Sequence, residues 1–203
     1  MSKYFKNLVG EKCYLSPLST EDAHLYTEWL NDYYITLNLG GVGQMLSLEV
    51  EKKILEGFQE CNNYIFAIVD RESNKLIGSC GLHDVNFING TAEVGINIGD
   101  KNYWNRSYGL DSMNLLLDFA FNVLNIYTAY LTVLGFNKRA QKLFTKVGFE
   151  NSGTLKSFRK IAGNRYDVNY MQIFAENFKS PYINKVLNDV QSDKGSLDLK
   201  LEL

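Results

Sequence analysis

No part of this chain constrains its fold more than the stretch Asn97 to Leu124, NIGDKNYWNRSYGLDSMNLLLDFAFNVL. It reads as the end of a strand, a polar loop and then an amphipathic helix. Leu110, Met113, Leu117, Ala120, Phe121 and Leu124 recur at helical spacing, so one face of the segment packs on a core. Ahead of them, Asn105, Arg106, Ser107 and Gly109 put small and polar residues where a helix leaves its first backbone N–H groups unpaired. Such a helix start suits an anion, phosphate above all. An ordinary capped helix, with Ser107 as the cap and Arg106 in solvent, also accounts for these residues alone.

What flanks this stretch narrows the fold. Glu11 to Leu18 reads as a first strand ended by Pro17, and Ser19-Thr20-Glu21-Asp22 as the start of a helix whose buried stripe is Tyr26, Trp29 and Leu30. Asn31 to Gln44 is aromatic, then glycine-rich, without lasting periodicity, and is expected to be a mobile loop. Ser47 caps a second helix with Val50, Ile54, Leu55 and Phe58 on one side and charges on the other. Tyr64 to Asp70, Leu76 to Leu82 and Thr91 to Ile98 form an antiparallel meander with turns at Arg71 to Lys75 and Asn89-Gly90. After the central helix come a strand, Tyr127 to Leu134, and a helix, Asn137 to Lys146, which Gly148 closes. A strand on either side of a crossover helix favours one parallel pair in an otherwise antiparallel sheet. Thr154 to Ile161 and Tyr166 to Phe174 flank Ala162-Gly163-Asn164-Arg165 as a closing hairpin. The expected class is therefore mixed α/β (α+β), a mainly antiparallel sheet flanked by helices.

A chain of 203 residues, 45% of them hydrophobic, buries one substantial core, so residues 1–179 are read as one domain and 180–203 as a tail. In the tail, Ile183, Val186, Leu187 and Val190 suit a short amphipathic helix. Leu197, Leu199, Leu201 and Leu203 alternate with Asp198, Lys200 and Glu202 as in a strand, which would pair with a sheet edge of this chain or of a second copy in a homodimer. A frayed terminus is the plainer alternative. A net charge of -2 argues against nucleic acid as the main partner. No apolar run is long enough to span a bilayer and the N-terminus lacks a signal-peptide core, so no membrane is expected and the default location is cytoplasmic. Cys13, Cys61 and Cys80 are scattered, and only His24 and His83 offer imidazoles, so no disulfide framework and no metal site is expected.

Three ordered stretches, AEVGINIGDKNYWNRSYGLDSMNLLLDFAF, FNKRAQKLFTKVGFENSG and RYDVNYMQI, together resemble the GNAT superfamily of acyl-coenzyme A dependent N-acetyltransferases. Within it, they are similar to the branch of ribosomal-protein and polyamine acetyltransferases, over Val9 to Phe178. The resemblance implies acetyl-CoA (coenzyme A) as co-substrate, no metal, and a sheet whose two central parallel strands splay apart to admit it. The family's diphosphate loop, Gln/Arg-x-x-Gly-x-Gly/Ala, falls on Trp104-Asn105-Arg106-Ser107-Tyr108-Gly109 and leads into Leu110. Trp104 departs from the usual polar residue, a change this branch often tolerates. Ser107 departs from a glycine that lets backbone approach diphosphate, and either crowds the ligand or donates a hydrogen bond to it. Arg106 is the implied electrostatic partner of phosphate. Asn97, Ile98 and Gly99 would lend main-chain groups to the pantetheine and the acyl carbonyl. The family's Asn-x-x-Ala falls on Asn137-Lys138-Arg139-Ala140, so Asn137 would touch the coenzyme while Arg139 and Lys142 reach its phosphates; a plain helix cap and solvated charges are the bland readings.

Acetyl transfer to an amine needs a neutral amine, a donor for the carbonyl oxyanion and a proton for the departing thiolate. Glu93 matches a position used as base in some relatives, with His83 and Asp84 as runner-up; Ile98 and Gly99 N–H would serve the oxyanion. The relatives' acid, the Tyr of Leu-Tyr-x-Lys-x-Gly-Phe, is Phe144 here, which cannot donate a proton, so either water, Tyr130 or Thr132 substitutes or the thiolate departs unassisted. The function expected is an N-acetyltransferase acting on a primary amine of a small molecule or protein. Glu28, Asp32, Tyr33, Tyr34 and Gln44 are candidates for the acceptor pocket. Ser107 and Phe144 together also fit an acyl-CoA-binding sensor or scaffold with weak catalysis. A dinucleotide-binding module fits poorly, because Ser107 breaks any GxGxxG run.

Overall fold

A computed structural model describes residues 3–40, 45–58, 63–179 and 182–197. In chain order its elements are β1 (Leu8–Val9), β2 (Cys13–Pro17), α1 (Ala23–Asn31), α2 (Tyr33–Leu39), α3 (Leu48–Gly57), β3 (Tyr64–Asp70), β4 (Leu76–Asn86) and β5 (Thr91–Ile98). There follow α4 (Tyr108–Asp118), β6 (Thr128–Leu134), α5 (Lys138–Val147), β7 (Glu150–Ile161), β8 (Asn164–Phe174) and α6 (Ile183–Leu197).

The strands make one sheet in the order β1-β2-β3-β4-β5-β6-β8-β7. Its neighbours run antiparallel except β5 and β6, which are parallel, as a strand-helix-strand crossover through α4 dictates. Both faces of the sheet are covered. In β2, Cys13 and Leu15 join the core under α4 while Tyr14 joins the core under α1 and α3; in β3, Phe66 and Ile68 point one way and Ala67 and Val69 the other. The period-2 alternation of a strand thus feeds two cores, which is why YIFAIVD reads as a continuous apolar run.

The first core takes Met113, Leu116 and Leu117 from α4, all fully buried. The second takes Tyr26 and Trp29 from α1, whose rings meet edge to face at 5.5 Å. The closing hairpin turns on Ala162 and Gly163, both at positive φ (48° and 82°), the conformation a two-residue turn needs to match strand twist. α6 is moored at its start: Asp118 accepts from the N–H groups of Tyr182 and Ile183, and the Tyr182 hydroxyl donates to Asp111.

Several expectations are corrected. The loop expected over 31–44 contains helix α2, capped by Asp32 accepting from Tyr34 N–H and closed by Gly40 at φ 74°; its seven residues are too few for periodicity to register. Gly41 to Gln44 lie outside the described residues. The first strand is shorter than Glu11 to Leu18, because Lys12 N–H turns to Asp111. Val50 faces solvent, and Glu51 takes its place on the buried face of α3. The central helix begins at Tyr108 and widens into a π turn over Phe119–Val123, rather than running as one α-helix to Leu124. Ser107 is no side-chain cap: its hydroxyl makes no capping bond, and the residue sits at φ 67°. In the tail, Leu197 ends α6, while Leu199, Leu201 and Leu203 lie outside the described residues, as does Cys61.

Candidate active site

The site follows from where one ladder stops. The parallel pairing of β5 with β6 runs Thr91↔Thr128, Ala92↔Ala129, Glu93↔Tyr130 and ends there, whereas β5 stays paired with β4 as far as Ile98↔Gly78. Beyond Glu93 the two strands diverge, leaving one edge of β5 facing a cleft of about 680 Å³. Its lining includes Glu93, Asn97 and Ile98 from β5, Thr132 and Val133 from β6, residues 104, 105 and 107–110 from the loop and start of α4, and Asn137, Arg139 and Lys142 from α5.

The start of α4 opens on this cleft. The first α-helical bond is Asp111 N–H to Ser107 O, so the N–H groups of Tyr108, Gly109 and Leu110 lie in the turn where a helix leaves donors unpaired. Asn105 and Ser107 at φ 59° and 67° bend the chain sharply into that turn. At Gly109 the packing is close: a Cβ there would come within 3.2 Å of the Leu143 side chain on α5, which would have to give by a few tenths of an ångström. Asp111, the acid of the first turn, points away: it accepts from Glu11, Lys12 and Cys13 N–H, leaving the cleft end of the helix positive.

Trp104, unusual for its position by resemblance, has a structural use. Its Nε1–H donates to Ile98 O at 2.7 Å, and its ring carries the Arg139 guanidinium 4.0 Å from the centroid. Arg139 is thereby held in the cleft wall, with burial drawing its pKa below the ordinary value. Lys142 and Lys146 line the same wall. Asn137 accepts from Ala140 N–H as the cap of α5 and donates to Asn38 O at 3.3 Å, tying α5 to α2.

Two expected residues stand apart from the lining. Arg106 is exposed and does not line the cleft. Gly99 abuts the second core, where a Cβ would strike the Trp29 ring at 2.0 Å, so this glycine is fixed by packing. Glu93 and His83 are direct cross-strand partners and both line the cleft. Burial lowers the His83 pKa, opposed by the charges of Glu93 and Asp84, so the imidazole favours its neutral form. Tyr130 is the β6 register partner of Glu93, and its pKa is raised by burial and then by Glu93. Phe144 lines the cleft, edge-on to Phe149 at 5.8 Å.

The expected acceptor residues are not assembled. Tyr33 and Tyr34 are 58% and 75% exposed, Asp32 is ion-paired with Lys101, and Glu28 lines neither this cleft nor the chamber beside it; Gln44 is outside the described residues. Instead a chamber of about 400 Å³ opens beside the cleft, sharing Leu39, His83, Gly95, Ile96 and Asn97 with it and reaching Tyr26 and Glu51. Glu51, which sequence reasoning assigned to the charged face, had one signal: it stands four residues before Leu55, in the stripe Glu51, Ile54, Leu55, Phe58.

A mixed sheet splayed beside a helix start and a basic wall suits an extended ligand that carries phosphates. Comparison with known proteins agrees: residues 12–150 match the model of the acetyltransferase (GNAT) domain, and the chain belongs to that family. It is 26% identical over 171 residues to the uncharacterized N-acetyltransferase p20 of Bacillus licheniformis, covering 80% of this chain and 93% of the relative. It is 32% identical over 120 residues to a spermidine N(1)-acetyltransferase of Vibrio cholerae, covering 59% of this chain and 66% of that one. Among solved structures, the V. cholerae spermidine N-acetyltransferase in complex with CoA and spermine superposes with a TM-score of 0.75 at 24% identity, covering 81% and 96%. A GNAT-family acetyltransferase from Bacillus anthracis gives 0.73 at 17% identity, covering 83% and 98%. The chain is thus a GNAT N-acetyltransferase whose general reaction is CoA-dependent acyl transfer to an amine. Among the described residues, no helix is long and apolar enough to cross a membrane.

Proposed function

We propose that the protein transfers an acetyl group from acetyl-CoA to the primary amine of a small molecule. The observation that carries this reading is the end of the β5–β6 ladder at Glu93↔Tyr130, beside a cleft that the start of α4 also lines. The residues present suit the coenzyme. Tyr108, Gly109 and Leu110 N–H, with Arg139 and Lys142, would hold its phosphates; the β5 edge from Val94 to Ile98 would pair with the amides of its arm as a strand would. When bound, acetyl-CoA supplies an activated acyl thioester.

The chain supplies the rest. N–H groups on the unpaired β5 edge polarise the carbonyl oxygen, a preorganised donor set that costs no rearrangement. Glu93, directly or through a water, takes the ammonium proton of the acceptor, and neutral His83 beside it is placed to relay that proton. Thr132, on the cleft wall, offers a hydroxyl where Phe144 cannot. A small-molecule acceptor is favoured because the chamber beside the cleft is walled by buried side chains of α1 and α3, and the V. cholerae relative named above acts on spermidine.

Calorimetric titration with acetyl-CoA, followed by thiol release on adding amines, tests the reading. Micromolar binding and amine-dependent thiol release are expected. Binding without release from any amine would favour a sensor, and absence of binding would refute the assignment of the cleft.

A further inference from the structure

Among the described residues, two buried side-chain polar atoms have no hydrogen-bond partner, Tyr26 Oη and Glu51 Oε2, and both side chains line the same chamber. Glu51 is 2% exposed and Tyr26 4%. A carboxylate stranded in this way is expensive, since it has given up water without gaining a donor. Of the other polar groups in the wall, Thr36 Oγ1 donates to Asp32 O, His83 and Asn97 stand where the chamber joins the cleft, and Ser79 contributes a hydroxyl. Most of the remaining wall, Leu18, Leu30, Leu46, Ile54, Leu55 and Ile65 among it, is apolar. Burial raises the pKa of both groups, and at Tyr26 the charges of Asp22 and, to a smaller extent, Glu51 add to it. A mainly apolar chamber that meets the cleft at His83, the cross-strand partner of Glu93, and carries the unsatisfied Glu51 Oε2 in its wall has the form of a ruler for a two-headed ligand.

We propose that this chamber is the acceptor subsite, that Glu51 with Tyr26 beside it sets specificity, and that the acceptor is a small amine carrying a second hydrogen-bond donor or cation across an apolar spacer. The assignment rests on the acetyl-transfer reading above. The reacting amine sits at the mouth near Glu93, the spacer lies against the leucine and isoleucine wall, and the distal group donates to Glu51. A single buried carboxylate serves one cation. An interior ammonium, such as that of spermidine, would lie against apolar wall without a partner, so a simple diamine or amino alcohol is the better guest. A site built to receive a donor rejects the analogue that lacks one far more sharply than an apolar pocket rejects a missing methylene.

The test titrates pentylamine, 5-amino-1-pentanol, 1,5-diaminopentane and spermidine into the full chain, with and without saturating CoA, and repeats the series on Glu51→Leu and Glu51→Gln. Both variants replace an unpaired group by one of similar volume, and melting curves verify that they fold. Wild type should bind the diamine and the amino alcohol about tenfold or more tightly than pentylamine. In Glu51→Leu that gap should close to about twofold or less, with CoA affinity unchanged, whereas Glu51→Gln should keep the amino alcohol preference and lose that for the diamine. A gap that persists in Glu51→Leu, equal binding of pentylamine and diamine to wild type, or CoA binding with no amine binding would each overturn the proposal. Failure of CoA to bind would overturn the reading of the cleft instead, and the amine series without CoA would still decide the chamber.

Discussion

Replacing Ser107 by glycine should stabilise the protein. Ser107 stands at φ 67°, ψ 6°, in the left-handed region, and its side chain forms no capping hydrogen bond in return. For an L residue with a Cβ that conformation costs about 1–2 kcal/mol. Glycine removes the cost but frees the unfolded chain by about 0.4–1 kcal/mol, so the net gain is about 0.5–1 kcal/mol. For a chain of 203 residues this corresponds to a rise in Tm of about 1–4 °C. The comparison that isolates the backbone is Ser107→Ala, which also loses the hydroxyl but keeps the Cβ. Differential scanning calorimetry on the three proteins, without ligand, should show glycine above wild type and alanine no higher than wild type. The same glycine lets backbone approach an anion more closely, so acetyl-CoA affinity should rise a few-fold in Ser107→Gly alone. Equal melting temperatures for glycine and alanine variants, or a fall with glycine, would refute the argument from backbone strain.

Glu93→Gln should lower kcat about 100-fold or more while leaving CoA affinity within about twofold, as measured by thiol release and calorimetry. Because the Glu93 charge raises the His83 pKa against the larger lowering by burial, the same substitution should move the His83 titration further below 6.5, read by NMR of the ring protons. Phe144→Tyr should raise kcat more than it changes CoA binding, since it offers a hydroxyl to the cleft wall; unchanged kcat would show that thiolate protonation is already served, by Thr132 or water. Asp111 is buried, which raises its pKa, but the Tyr182 hydroxyl and the N–H groups of Lys12, Cys13 and Glu11 more than offset this and leave it below 3.8. A depressed carboxyl contributes stability above its unfolded value and loses it as pH falls through the folded value. Asp111→Asn should therefore cost about 2 kcal/mol at pH 7 and progressively less below pH 4, followed by urea unfolding.

What the residues disclosed in advance was whatever repeats along the chain. Thr91–Ile98 was legible to the residue as a strand because its flanks are turn residues, and α5 because Asn137 and Gly148 punctuate it. The parallel pair was legible from order alone, since a helix must cross between the two strands. Periodicity failed where an element is short or a polar residue occupies an apolar register. The seven residues of α2 complete barely two turns, so their buried Ile35 and Thr36 look like scatter. Glu51 was placed with the charged face because its type outweighed its position, yet its register with Leu55 puts it inside. The same conflict between local chemistry and global fold recurs at Ser107, a side chain in a glycine's conformation, and at Trp104, whose indole ties down the strand end and braces Arg139. These three residues line the cleft or the chamber that opens from it. Sequences are locally consistent with their folds except where binding or chemistry requires otherwise. Three of these conflicts therefore bear on function: Trp104, Ser107 and Glu51 stand on walls that would meet coenzyme and acceptor, and Glu51, in an apolar register with its Oε2 unpaired, is the one that a donor on a ligand would relieve.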